Sequence, residues 1–222
     1  MKTKIGEIDL IIFDWSGVIS DDRQAVYEAN MRILAKYGKP RISYSCWWSG
    51  LKMTLRTFLS SQGITLTHEE VNRVFKECYD EVFQSGIMPK IYSEILGALE
   101  QLSQKGIKLA AVSAHPVQNL EREAKMYGIR DYFILMIGWA TAHKTKSILE
   151  VCSRLVVLPE KAIYVGDMIM DVRSAKEAEV HSVAIARDNN ESYHKREVLS
   201  KENPEILAKN LDDMLKQLGV CA

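Results

Sequence analysis

The sequence predicts a doubly wound α/β fold, a parallel sheet with helices on both faces, joined to a small helical domain. Three observations predict it. Short apolar segments of strand length alternate with longer segments of helical periodicity along most of the chain. Those short segments are almost continuously hydrophobic, as strands buried on both faces are. The interval from Val18 to Pro89 carries only helical patterns, far more chain than a crossover between parallel strands needs.

The first strand is expected over 8–13 (I-D-L-I-I-F), stopping at Asp14 and turning through Ser16-Gly17. Helical patterns follow over 23–37, 53–62 and 68–85, with no convincing strand among them. From there the alternation is regular. Helix 91–104 precedes strand 108–112, helix 116–127 precedes strand 132–137, and helix 145–155 precedes strand 162–165. Helix 171–178 leads to strand 181–185; 187–203 reads as a polar surface loop with a short helix. A weak strand (205–208) and a helix (211–218) close the chain. The expected division is a sheet-bearing domain of 1–18 with 90–222 and a helical domain of 19–89.

At 222 residues, 47% hydrophobic and 26% charged, the chain can bury a full core. Lys plus Arg (29) equals Asp plus Glu (29), so no broad field attracts nucleic acid or an anionic membrane. Any anion-binding site must be local. Cys46, Cys78, Cys152 and Cys221 form no C-x-x-C pair and have no histidine at ligand spacing, which argues for reduced thiols and against a zinc site. The longest apolar run, 132–142, is too short to cross a bilayer, and the N-terminus lacks a signal-peptide core. The expected setting is the cytoplasm.

Ligands of open parallel sheets sit beyond the carboxyl ends of the strands. Asp14, Ser113, Lys144 and Asp167 fall at or just beyond four such ends. Each alone is an ordinary cap or turn residue. Together they supply two carboxylates for a hard cation, a hydroxyl and an ammonium, which compose one site.

The segments F-D-W-S-G-V (13–18), V-S-A (112–114), Lys144 and V-G-D-M-I-M-D-V (165–172) resemble the four motifs of the haloacid dehalogenase-like hydrolase superfamily, in the family's order. The resemblance implies a Rossmann-like core with a helical cap inserted between the first two motifs. It implies a phosphatase in which Asp14 attacks phosphorus of a small phosphorylated compound and forms an aspartyl-phosphate. It places Mg²⁺ on Asp14, the backbone carbonyl of Ser16 and Asp167, with Asp171 beside them. Ser113 and the amides after it, beginning with Ala114, would bind phosphate oxygens, and Lys144 would neutralise the nucleophile and phosphate. The region A-H-K-T-K-S lacks the proline that often follows the family's lysine, so Lys146 is the alternative to Lys144.

One position departs from the family. Most of its phosphatases carry a second aspartate two residues after the first, as acid and base; here Ser16 stands there. A hydroxyl is poor at both tasks, so roughly 10²–10⁴-fold of assistance is absent from this residue. Three readings follow: a good leaving group, a substitute acid, or a binding module that has lost turnover. The phosphonoacetaldehyde hydrolases also lack this aspartate, and their D-W-A-G-T resembles D-W-S-G-V. They use a cap lysine, for which Lys52 is the counterpart, although it falls one residue early against their G-L-x-K. The dehalogenase branch has an aromatic residue at the Ser16 position and fits less well. In the cap, 45–50 (S-C-W-W-S-G) is expected as a loop near the site, with Trp47, Trp48, Lys52 and Arg56 as candidate substrate contacts. His115 before Pro116 reads mainly as a turn residue.

Overall fold

In the computed structural model, which describes residues 7–50, 54–140, 143–188 and 192–220, the first apolar segment forms strand β1 (Leu10–Phe13), every residue of it buried. The chain continues through β2 (Ser20–Asp21), helices α1 (Arg23–Lys36), α2 (Tyr44–Gly50), α3 (Leu55–Ser61) and α4 (His68–Gln84), and β3 (Lys90–Ile91). Then come α5 (Ile95–Gln104), β4 (Lys108–Val112), α6 (Val117–Met126), β5 (Leu135–Ile137) and α7 (Thr145–Leu155). β6 (Ala162–Gly166), α8 (Ile169–Glu177), β7 (His181–Ile185), α9 (Arg196–Ser200), β8 (Ile206–Ala208) and α10 (Leu211–Gln217) complete it.

Six strands form one parallel sheet in the order β5-β4-β1-β6-β7-β8. The twofold alternation of side chains along a strand explains why both faces are covered. On β1, Ile11 and Phe13 join a core with Leu99 of α5, Leu120 of α6 and Leu215 of α10. Leu10 and Ile12 point the other way, to Ile148 and Val151 of α7 and Ala175 of α8. This is the expected doubly wound α/β architecture.

The chain divides into two compact units, Met1–Ser20 with Ile91–Ala222, and Asp21–Lys90. The second is helical. Its longest helix, α4, buries Val71, Val74, Phe75, Cys78 and Val82, a spacing of three and four residues that puts them on one face. Its start is fixed by a capping box: the Glu70 amide donates to Thr67 Oγ1 at 3.2 Å, and the Thr67 amide donates to Glu70 Oε2 at 2.8 Å. Such a cap contributes about 1 kcal/mol.

Four local expectations are corrected. Residues 45–50 are helical, not a loop, because Trp47 is wholly buried among Tyr27, Tyr44 and Trp48 and this packing outweighs a weakly helical sequence. Ser20–Asp21, inside the interval read as all helical, pairs with Lys90–Ile91 as a two-stranded sheet. The strand expected from 132 starts at Leu135, since Arg130–Tyr132 forms a 3-10 turn and the Arg130 guanidinium donates to the Phe133 carbonyl at 2.8 Å. Arg187, placed in a surface loop, has a side chain only 5% exposed.

Candidate active site

Asp14 follows β1 directly, and its amide continues the ladder by donating to the Val165 carbonyl at 2.8 Å. β1 lies between β4 and β6, with Phe13 in register with Ala111 and with Val165. Ser113 and Asp167, each two residues past those partners, therefore flank Asp14. Gly17 makes the close approach possible. Its φ of +75° suits glycine, and a Cβ there would lie 2.1 Å from Asp167 Oδ2. Asp171 stands in the first turn of α8, and Lys144 immediately precedes α7.

Among the described residues, one oxygen each of Asp14, Asp167 and Asp171 lies within 4.8 Å of the others, and all three side chains are buried. Lys144 Nζ is 2.7 Å from Asp14 Oδ2 and 2.9 Å from Asp171 Oδ1. Asp171 is well supplied: its Oδ1 also accepts from Tyr164 Oη at 3.3 Å, and its Oδ2 from the amides of Asp167 (3.2 Å) and Met168 (2.9 Å). Asp14 Oδ1 accepts from the Trp15 amide at 2.7 Å. Asp167 differs. Neither of its oxygens has a hydrogen bond of standard geometry to the described residues, although Asp167 is only 1% exposed.

These surroundings set the ionisation. Burial pushes the Asp14 carboxyl up, to about 7, against the downward pull of Lys144. Burial, and then the charges of Asp14 and Asp171, push Asp167 well above the usual carboxylate range; Lys144 and the Tyr193 backbone amide offset this only in part. For Lys144 burial favours the neutral amine, but Asp14 and Asp171 outweigh it and the net shift is upward. Three carboxyls around one ammonium leave an uncompensated buried acid, and Asp167 is the one least supplied with donors. An all-oxygen set with an orphaned carboxylate fits a hard divalent cation.

The metal-free protein therefore has a pH dependence of defined sign. The unfolded chain loses the Asp14 proton near 3.8, whereas the folded chain holds it to about 7. Stability should fall as pH rises between those values, because the folded state binds the extra proton there. Thermal melts from pH 4 to 8 without metal should show the decline, and added Mg²⁺ should offset it at the upper end.

The remaining candidates are distributed as follows. Ser113 is 1% exposed, and its Oγ accepts from the His115 amide at 3.2 Å, leaving the hydroxyl proton to donate elsewhere. Ala114 is exposed beside it. Lys146 is exposed, and Lys144 makes the carboxylate contacts. Ser16 is half-buried, its Oγ 3.4 Å from His115 Nε2, so the histidine ring faces the position of the departure. Burial favours a neutral His115 ring. In the helical unit, Trp47 is enclosed by aromatic neighbours, Trp48 is half-buried under the Arg23 guanidinium at 5.8 Å, and Arg56 is exposed. Lys52 lies outside the described residues.

Three side chains escape a reading of the sequence. Tyr164 hides in a strand. Arg187 sits at the start of a polar stretch. Glu123, wholly buried, accepts from Trp15 Nε1 at 2.7 Å and from Ser20 Oγ at 3.2 Å. Only Glu123 left a signal, an acid three positions after Leu120 on the apolar face of its helix.

A carboxylate after the first strand, facing a buried lysine and an acidic pair from a later strand end, defines a class of α/β hydrolase. The chain belongs to the haloacid dehalogenase-like hydrolase family, which matches over residues 11–185. Among curated relatives, a putative pyrophosphatase PpaX of Caldanaerobacter subterraneus subsp. tengcongensis is 25% identical, covering 97% of this chain and 96% of its own. Phosphoglycolate phosphatase of Salmonella typhi is 26% identical over 78% of this chain and 71% of its own. The fold is shared with a predicted phosphatase from Clostridium acetobutylicum (TM-score 0.79, 18% identity, covering 96% and 99%). It is shared too with CbbY from Rhodobacter sphaeroides in complex with phosphate (TM-score 0.76, 16% identity, covering 96% and 99%). Among the described residues no helix is long and apolar enough to cross a membrane.

Proposed function

We propose that this chain is a Mg²⁺-dependent phosphatase that hydrolyses a small phosphorylated compound through an aspartyl-phosphate on Asp14. The observation that carries the reading is the contrast within one buried cluster: Asp14 is oriented by Lys144 and the Trp15 amide, while Asp167 beside it accepts no hydrogen bond of standard geometry from the described residues. The names of the relatives agree with it, since a pyrophosphatase and a phosphoglycolate phosphatase both act on small phosphorylated compounds.

Mg²⁺ would be held by Asp14, Asp167 and the Ser16 carbonyl, and when bound it supplies positive charge against which an anionic nucleophile and an anionic phosphate can meet. The four donors on Asp171 favour an orienting role for it, fixing Lys144 and the turn into α8. Lys144 favours the ionised form of Asp14 against the opposing effect of burial and faces the incoming phosphoryl group. The Ser113 hydroxyl, its acceptor side occupied by the His115 amide, donates to a phosphate oxygen. Asp14 attacks phosphorus, the bond to the leaving oxygen breaks, and water then releases phosphate from the carboxyl oxygen.

Ser16 supplies no acid for the leaving oxygen, so turnover should favour leaving groups that need none, such as aryl or acyl phosphates. In this reading the helical unit is the cap, and Trp47, Trp48, Lys52 and Arg56 are its candidates for selecting the substrate. Carbon–phosphorus cleavage through Lys52 and a binding-only module draw no support from the relatives. The expected result is hydrolysis of p-nitrophenyl phosphate that disappears with a chelator and returns with Mg²⁺, and a steeper rate dependence on leaving-group acidity than in a relative with aspartate at this position. Chelator-resistant hydrolysis would refute the metal reading.

A further inference from the structure

Arg187 follows β7 and reaches back across the sheet end to the turn after Asp14. Its Nε donates to the Gly17 carbonyl at 3.2 Å and its Nη2 to the Val18 carbonyl at 3.0 Å. Its Nη1 is 2.7 Å from Glu94 Oε1, and the guanidinium lies 3.4 Å over the centre of the Tyr92 ring. Side-chain exposure is 5% for Arg187 and 8% for Glu94, so this is a buried ion pair. Removing two charges from water is costly, and an apolar pair of similar volume would fill the space at lower cost. What an apolar side chain cannot do is set the direction of two successive carbonyls. The planar fork of a guanidinium does that.

The direction of those carbonyls bears on the candidate metal site. Each peptide is a rigid trans plane, so the orientation of one unit constrains the next. The Gly17 amide, in the same plane as the Ser16 carbonyl, donates to the Ser20 carbonyl at 2.9 Å. The Ser16 carbonyl therefore points the opposite way. Gly17 is held on its other side by Arg187, at a φ of +75° and pressed against Asp167 Oδ2. The same guanidinium also grips Tyr92 and Glu94, where the chain has just returned from the helical unit. Outgoing and incoming chain are thus tied to one side chain.

We infer that Arg187 is a positioning residue for the metal site: it fixes the Gly17–Val18 peptides, and through them the Ser16 carbonyl and the Gly17–Asp167 contact. The inference rests on the metal reading proposed above and concerns a residue outside the four motifs. It does not require Arg187 to touch metal or substrate.

The test compares wild type, Asp167→Asn, Arg187→Met and Arg187→Lys, each measured for Mg²⁺ binding by calorimetry, for melting temperature and for p-nitrophenyl phosphate turnover. Loss of a side chain that orients a ligand typically weakens metal binding roughly 10- to 100-fold, and that is the shift expected for Arg187→Met. Arg187→Lys keeps the charge beside Glu94 but not the two-pronged grip, so it should weaken binding by about 10-fold with little change in melting. Should Arg187→Met fail to fold, Arg187→Lys decides the question. A purely structural role predicts lower melting temperatures with Mg²⁺ affinity unchanged; that result overturns the assignment while leaving the metal reading intact, provided wild type binds Mg²⁺ and Asp167→Asn does not. Wild type that binds no Mg²⁺ overturns both.

Discussion

Replacing Asp14 with Asn should lower turnover by at least roughly 10⁴-fold while leaving the protein folded. The amide has the shape of the carboxylate and can still accept from the Trp15 amide, which donates to Asp14 Oδ1 at 2.7 Å. It cannot attack phosphorus as an anion, and no other described carboxylate is placed to do so. Asp171 is saturated by four donors, and in the proposed mechanism Asp167 would hold the cation. Stability should change little, because one of three mutually repelling carboxyls is removed along with one of the two partners of Lys144. Circular dichroism and melting beside the kinetic assay separate lost chemistry from lost fold. Activity within tenfold of wild type would remove Asp14 from its role.

Lys144→Met should have the next largest effect, and on two quantities at once. Lys144 is 6% exposed, and it is the ammonium that pairs with both Asp14 and Asp171. Methionine keeps the length and apolar stem but removes the charge, so the buried acids lose their compensation. Breaking a buried pair in this way costs about 3–5 kcal/mol. Protonation of Asp14 and Asp167 would relieve part of that cost. Metal-free Lys144→Met should therefore melt well below wild type at neutral pH, and much closer to it near pH 5. Mg²⁺ should narrow the gap by restoring positive charge. Turnover should fall by roughly 10²–10³-fold, the usual effect of losing one preorganised group that stabilises transferring charge. Equal melting of the two proteins at both pH values would show that Lys144 does not balance these acids.

Much of the architecture was legible because it is written locally. β1 is an unbroken apolar run followed directly by Asp14, and β6 is another that ends one residue before Asp167. The four-residue spacing from Asp167 to Asp171 lets the second acid, at the start of α8, fold back onto the amides of Asp167 and Met168. The parts that were not legible depend on distant partners. α2 has a weakly helical sequence and is held by Trp47 packing on Tyr27, from another helix. Arg187 looks like any cation at the start of a polar stretch, and the carbonyl it grips lies 170 positions earlier. His115 was read as a turn residue, which it is by its amide bond to Ser113 Oγ, but its ring faces Ser16 across 3.4 Å. No pattern of spacing predicts that contact.

The most direct test of the account is to look for the phosphoryl group on the nucleophile. Wild-type protein turning over p-nitrophenyl phosphate in Mg²⁺ is quenched in acid, digested, and its peptides are weighed. The peptide containing Asp14 should carry one phosphoryl group, released by hydroxylamine as an acyl phosphate is, and Asp14→Asn should carry none. A protein that turns over rapidly yet shows no such adduct, or shows it undiminished in Asp14→Asn, would contradict the account.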